Sequence, residues 1–218
     1  MSCRLFLFDL DGTVADTAPD LVRAANLVRT VRGLEPLPDS ILRPMASRGA
    51  PGLIGTCFGI QKTDPSFPAL RDEFLRNYEA GMTVDSRPFP GILEMLAELR
   101  AAGIRTGIVT NKYTHLARKL AAGLDIDRCF DVILGSDADR CAMKPAPDSL
   151  LTAAAALDIA PADTLYAGDD PRDVQAAHAA GMPCAAVRWG YLAGDPETWD
   201  ADIVVSEPAE LTAWALSR

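Results

Sequence analysis

No two cysteines in this sequence stand at the C-x-x-C spacing of a metal or redox motif. The five present (Cys3, Cys57, Cys129, Cys141, Cys184) are scattered and odd in number. That excludes a disulfide framework or a zinc site as the organising feature and fits a reducing cytoplasm. No apolar run approaches the roughly 18 residues of a membrane span. Positive charge is in short supply, with 21 Lys+Arg against 30 Asp+Glu and a formal net charge of −9. An acidic surface repels phosphate backbones, and no polybasic patch is visible, so neither nucleic acid nor membrane is expected as a partner. A small anion in a locally positive pocket stays compatible with that charge. The opening Met1-Ser2-Cys3-Arg4-Leu5-Phe6-Leu7-Phe8-Asp9 does not read as a secretory signal, because its apolar stretch is short and aspartates follow at once. Histidine is rare: His115 and His178 fall on helical segments without a ligand partner at helical spacing, which points to surface or packing roles. Internal repeats and low-complexity tracts are missing too.

What is present is ordinary globular material, 49% hydrophobic and 23% charged over 218 residues, enough to bury a core without staples. From residue 90 onward, short runs rich in β-branched residues alternate with helical spacing. The candidate strands are Arg105 to Thr110, Asp131 to Leu134, Thr164 to Ala167, Cys184 to Val187 and Asp202 to Val205. Between them, Ile92, Met95, Leu96 and Leu99 fall on one helical face that stops at Gly103, and Asp170 to Ala180 stops at Gly181. Strands spaced by helices of this length predict crossover units and a doubly wound parallel sheet of α/β class. Leu5 to Phe8, hydrophobic without a break, reads as a further strand covered on both faces.

Residues 15–86 differ. They carry helical stripes (Leu21, Ala24, Val28, Val31; Leu70, Phe74, Tyr78) punctuated by Pro36, Pro38, Pro44, Pro51, Pro65 and Pro68. The expected organisation is an α/β core of 1–14 and 87–218 with a small helical domain, 15–86, inserted after the first strand.

In an open parallel sheet, ligands bind beyond the carboxyl ends of the strands. Asp9 and Asp11 lie at such an end. In an extended chain residues two apart point the same way, so both carboxylates are expected to converge on one crevice, with Gly12 permitting a sharp turn. Asp169, Asp170 and Asp173 follow the Thr164 to Ala167 strand. Carboxylates from two strand ends, with room for water and a substrate phosphate, describe a Mg²⁺ site. Thr110 and Asn111 close a third strand with hydroxyl and amide donors, and Lys144, after a fourth, adds a fixed positive charge. Such a set suits phosphoryl transfer: one carboxylate as nucleophile, another as acid and then base, with Mg²⁺, Lys144 and Thr110 neutralising the equatorial oxygens. Asp170 is also placed to N-cap the following helix, and Asp173 to serve as its first-turn acid.

These four strand ends, Asp9-Leu10-Asp11-Gly12-Thr13, Val109-Thr110-Asn111-Lys112, Lys144-Pro145 and Gly168-Asp169-Asp170-Pro171-Arg172-Asp173, resemble in order the four motifs of the haloacid dehalogenase-like superfamily, phosphatase branch. The helical insertion resembles the cap of its phosphoglycolate phosphatase-like group. The resemblance implies Asp9 as nucleophile and metal ligand, and Asp11 as general acid/base and metal ligand through its carbonyl. It implies that Thr110 and Asn111 hold the phosphoryl group, Lys144 binds it and Asp9, Asp169 completes the metal shell, and Asp173 orients metal-bound water or Lys144. Asp170 stands where many relatives carry Ser. An acid at position 11 favours phosphate esters over haloacids or phosphonates, and Thr13 in place of Val weakens a mutase reading.

In the inserted region, Ser47-Arg48-Gly49 opens a helix beside an arginine, a combination that can receive a substrate carboxylate through Arg48. The expectation is a cytoplasmic Mg²⁺-dependent hydrolase of a small phosphorylated metabolite, phosphoglycolate first, acting as monomer or homodimer. The alternatives are another sugar-phosphate or nucleotide phosphatase, a β-phosphoglucomutase-like phosphotransferase, or a non-catalytic phosphometabolite-binding module.

Overall fold

Alternation along the first strand sets the architecture. In Leu5–Phe8 every side chain is buried. Leu5 and Leu7 join a cluster with Val109, Leu150, Ala153, Tyr166, Val174 and Ala177. Phe6 and Phe8 stack at 4.4 Å, with Trp214 edge-on to Phe6 at 6.0 Å. Side chains two apart share a face, so a strand with both sets buried must lie inside a sheet covered on both sides.

A computed structural model describes residues 3–137 and 141–218. The chain opens with β1 (Leu5–Phe8) and a two-residue β2 (Ala15–Asp16), followed by α1 (Ala18–Thr30), α2 (Asp39–Leu42), α3 (Gly49–Phe58) and α4 (Phe67–Gly81). A second two-residue strand, β3 (Arg87–Pro88), leads into α5 (Ile92–Ala101), β4 (Arg105–Val109), α6 (Thr114–Gly123), β5 (Val132–Leu134) and α7 (Asp148–Ala156). The chain closes with β6 (Thr164–Gly168), α8 (Pro171–Ala179), β7 (Cys184–Val187), β8 (Ile203–Val205) and α9 (Pro208–Leu216). It divides into two compact units, Met1–Ala15 with Pro88–Arg218, and Asp16–Arg87.

The first unit holds a six-stranded sheet in the order β5-β4-β1-β6-β7-β8. Each neighbouring pair is parallel, with Phe8 opposite Ile108 on one side and Ala167 on the other. The order reverses at β1, so the crevice beyond its carboxyl end is the topological switch point of the α/β sheet. Helix α8 packs on β6 and β7, and α7 on β4 and β5.

The second unit is helical. Helix α1 packs against α4 and α3, burying Leu21, Ala24 and Val28 against a core that includes Leu53, Ile54, Leu70, Phe74 and Tyr78. Val31, expected on the same stripe, is 69% exposed. The helix stops at Thr30, and the chain turns through Gly33 at φ +70°. Both two-residue strands went unread in the sequence. They pair with each other as a ribbon where the chain passes between the units. No helix among the described residues is long and apolar enough to cross a membrane.

Candidate active site

Because the sheet is parallel, β1, β4, β5 and β6 all end on one edge. The Asp9 amide donates to the Ala167 carbonyl at 2.9 Å, carrying the β1–β6 ladder one residue past the strand. There the chain curls. The Val14 and Ala15 amides donate to Leu10 O at 3.1 and 3.0 Å, and Gly12 takes φ +90°. A Cβ on Gly12 would sit 2.2 Å from Asp169 Oδ2, so conformation and space both require glycine.

Lys144 is the hub, only 5% exposed. Its Nζ donates to Asp9 Oδ1 at 2.8 Å, Asp173 Oδ1 at 2.6 Å and the Tyr166 hydroxyl at 2.8 Å. The Tyr166 hydroxyl in turn lies 2.9 Å from Val109 O and 3.1 Å from Asp173 Oδ1, either of which takes its proton. Asn111 fixes the backbone that carries the lysine: its amide nitrogen donates to Lys144 O at 3.1 Å, and Lys144 N donates to Asn111 Oδ1 at 2.9 Å. Thr110 is buried beside it, its hydroxyl accepting from Lys112 N at 3.3 Å.

Asp169 is 1% exposed. Thr13 Oγ1 donates to its Oδ1 at 3.2 Å and Tyr191 N to its Oδ2 at 2.7 Å. The loop after β7 closes on this carboxylate, since a Cβ on Gly190 would meet Asp169 Cβ at 2.2 Å, and Trp189 Nε1 donates to Thr13 O at 2.9 Å. Asp170 is the N-cap of α8, with a capping box completed by Asp173, whose Oδ2 accepts from Asp170 N at 3.1 Å. Arg172 Nε and Nη2 grip both Asp170 oxygens at 2.7 and 2.9 Å, so its charge is neutralised locally.

Asp9, Asp169 and Asp173 each present a carboxylate oxygen, all within 4.8 Å of one another. One lysine cannot neutralise three such groups. Burial pushes the Asp9 carboxyl up to about 6, against the pull of Lys144 and with further push from Asp173 and Asp11. Burial, then Asp9 and Asp173, drive Asp169 well above the ordinary carboxylate value. Burial pulls Lys144 down, but Asp173 and Asp9 outweigh it and hold the ammonium above its usual value. A cluster of buried hard oxygen donors with unmet negative charge is the donor set of a hard divalent cation, and it could hold one.

Of the residues singled out in the sequence, Asp9, Lys144, Asp169 and Asp173 share this cluster, with Thr110 and Asn111 at its β4 side. Asp11 is near enough to raise Asp9, yet its side chain is engaged elsewhere: Lys112 Nζ donates to both its oxygens at 2.8 and 2.7 Å. Arg48 belongs to the helical unit, where it ends a 3₁₀ turn (Arg43–Arg48) and is exposed. Sequence reasoning gave no role to Lys112, Tyr166 or the Trp189–Tyr191 loop. Burial holds the thiols of Cys3 and Cys57 up at about 11 and that of Cys184 well above its ordinary value, which excludes them as thiolate nucleophiles at neutral pH.

A parallel sheet reversing at β1, with acids and a lysine gathered at its carboxyl edge, defines a class. The family model described as haloacid dehalogenase-like hydrolase matches residues 6–187, and the chain belongs to that family. It is a phosphatase of the phosphoglycolate phosphatase-like kind. The chain is 43% identical over 209 residues to a phosphoglycolate phosphatase of Xylella fastidiosa, covering 94% of this chain and 90% of the relative. It is 38% identical over 213 residues to an N-acetylmuramic acid 6-phosphate phosphatase of Pseudomonas aeruginosa, covering 97% and 94%. A crystal structure from Haemophilus somnus, described as a predicted phosphoglycolate phosphatase, superposes with TM-score 0.88 at 25% identity and 98% coverage of both chains. The CbbY protein of Rhodobacter sphaeroides, solved in complex with phosphate, gives TM-score 0.80 at 25% identity, covering 99% of this chain and 100% of that one.

Proposed function

We propose that the protein hydrolyses a small phosphomonoester that carries a carboxylate, 2-phosphoglycolate first among them, in a Mg²⁺-dependent reaction through a phosphorylated Asp9. The observation that carries this reading is the buried set in which Lys144 holds one oxygen of Asp9 while Asp169 and Asp173 crowd the same space. The relatives' substrates point to the carboxylate: phosphoglycolate and N-acetylmuramic acid 6-phosphate differ in size but share an acid group and a phosphomonoester.

The Asp9 oxygen not held by Lys144 attacks phosphorus, and the bond from phosphorus to the substrate oxygen breaks. Asp11, as the acid, gives that oxygen its proton, and the alcohol leaves. Asp11, now a carboxylate, takes a proton from water as the water attacks phosphorus. Phosphate departs and Asp9 is restored. Thr110 and Lys144 offset charge on the equatorial oxygens. Asp9, Asp169 and the Asp11 carbonyl would hold Mg²⁺, which when bound neutralises charge on the phosphoryl oxygens. Asp173, tied to both Lys144 and the helix start, keeps the lysine aimed. By this reading the helical unit is the cap that selects among metabolites.

The test is phosphate release by the purified protein from 2-phosphoglycolate, N-acetylmuramic acid 6-phosphate, common sugar phosphates and p-nitrophenyl phosphate, with Mg²⁺ and with EDTA. Turnover should vanish in EDTA, and kcat/KM should be greatest for an acid-bearing ester. A sugar phosphate without a carboxylate in first place would remove the substrate reading. No turnover of any ester in Mg²⁺ across a pH range would leave a binding module.

A further inference from the structure

Lys112 stands beside this cluster, and the reaction scheme above gives it no part. It stands in the loop after β4, and Asp11 in the curl after the adjacent parallel strand β1. The Phe8↔Ile108 register brings these two loops alongside each other. Its ammonium meets both oxygens of the Asp11 carboxylate, at 2.8 and 2.7 Å. The side chains are only 8% and 15% exposed, so the pair sits largely out of water. Taking two charges out of water is costly, and such a pair brings definition of geometry rather than dependable stability.

The lysine's own backbone is fixed from a third strand end. Ser136 N donates to Lys112 O at 2.9 Å. Gly135, just past β5, approaches so closely that a Cβ there would fall 2.3 Å from Lys112 O and 2.4 Å from Thr114 N. The loop is thus backed by main chain with no slack, and the curl that carries Asp11 is fixed in turn by the Leu10 carbonyl and by Gly12 N donating to Ala15 O at 2.9 Å. With both backbones fixed, the two-point grip of Lys112 restricts the side-chain rotation of Asp11.

We propose that Lys112 is a positioning residue for Asp11. It holds the acid/base carboxylate in a single orientation, so that the proton reaches the departing oxygen and, later, leaves the attacking water. This rests on the phosphatase reading with Asp11 as the acid/base.

The test exploits the leaving group. kcat/KM reports the steps up to the first irreversible event, here loss of the alcohol. An alkyl phosphate such as 2-phosphoglycolate needs a proton on its leaving oxygen; p-nitrophenyl phosphate, whose anion is stable, hardly does. Well-placed acid catalysis contributes roughly 10²–10⁴-fold. In Lys112→Met, kcat/KM for 2-phosphoglycolate should fall at least about tenfold, while that for p-nitrophenyl phosphate changes less than about threefold. Lys112→Arg should restore most of the lost selectivity, and Gly135→Ala, which alters no charge, should lower it in the same sense. An equal fall on both esters, no fall on either, or a lower melting temperature with selectivity intact would overturn the proposal. Asp11→Asn in the same assay separates the two layers. If it spares 2-phosphoglycolate hydrolysis, the acid/base reading fails and Lys112 falls with it. If it abolishes selectivity and Lys112→Met does not, the Lys112 proposal alone fails.

Discussion

Asp20 in the helical unit and Asp169 in the α/β unit are both cut off from water, yet their surroundings push them in opposite directions. Burial drives Asp169 upward, and the neighbours Asp9 and Asp173 drive it further. Burial also pulls Asp20 upward, but there hydrogen bonds outweigh it and the carboxyl lies below its ordinary value. Arg23 donates to it at 2.8 Å, Ser86 Oγ at 2.7 Å and Ser86 N at 2.9 Å, with Asp85 N at 3.2 and 3.1 Å from its two oxygens. One carboxylate is fully answered by donors of its own unit. The other is packed among its own kind. A satisfied buried charge holds a structure together, here the end of the helical unit onto the start of α1. Asp169 accepts from Thr13 Oγ1 and Tyr191 N, yet the carboxylates beside it raise it all the same, a setting that a cation would relieve.

Substituting aspartate by a neutral residue should therefore cost activity in one unit and stability in the other. The largest effect belongs to Asp9→Asn, which should lower kcat by at least about 10³-fold, as loss of a nucleophile does. In chelator, its melting temperature should equal or exceed that of the wild type. An acid whose folded value is raised favours the folded state when protonated. Asp9 therefore weakens the metal-free protein as pH climbs from near 3.8 through about 6. Asp9→Asn should flatten that slope. A variant both active and unstable would erase the contrast.

Asp20→Ala should strip about 2–3 kcal/mol from stability by orphaning buried donors, read by urea unfolding. The sign is opposite. Asp20 lies below its ordinary value, so its contribution is complete above the unfolded value of 3.8 and fades as pH falls below it. Wild type should therefore lose ground to Asp20→Ala in acid, and a constant gap between them down to pH 2 would refute this. The smallest effect is expected at Arg48. Arg48→Ala should raise KM for an acid-bearing ester by about two- to fivefold, the share of an exposed cation, and leave p-nitrophenyl phosphate alone. Equal effects on both would remove it as a reader of the carboxylate.

The fold was legible where burial forced a pattern. Leu5–Phe8 is apolar without interruption because both its faces are covered, and Cys184–Val187 reads likewise. The two-residue strands at the crossings leave no periodicity to detect. Past β1 the chain curls onto Leu10 O, where Lys112 holds the Asp11 carboxylate near enough to Asp9 to raise it, a pairing that extended-strand geometry alone did not give. Lys112 carried a readable signal, standing two residues beyond Thr110 at a strand end on the same edge. Tyr166 carried none, since a wholly buried strand tyrosine is indistinguishable in sequence from plain core. Gly190 and Tyr191 lie beyond the end of β7, outside the strand-end residues the sequence singled out. Their part in holding Asp169 depends on a close approach of backbone that only coordinates reveal.

The paired ribbon of Ala15–Asp16 and Arg87–Pro88 bears on modularity. Adjacent strands run about 4.8 Å apart, so the chain departs from the sheet-bearing portion and rejoins it across a gap that a tight turn could bridge. Excision there would ask the host to close no long loop, and grafting would ask the guest only for termini that lie side by side. A junction of this kind lets the helical unit be exchanged wholesale while the carboxyl edge of the sheet keeps its wiring.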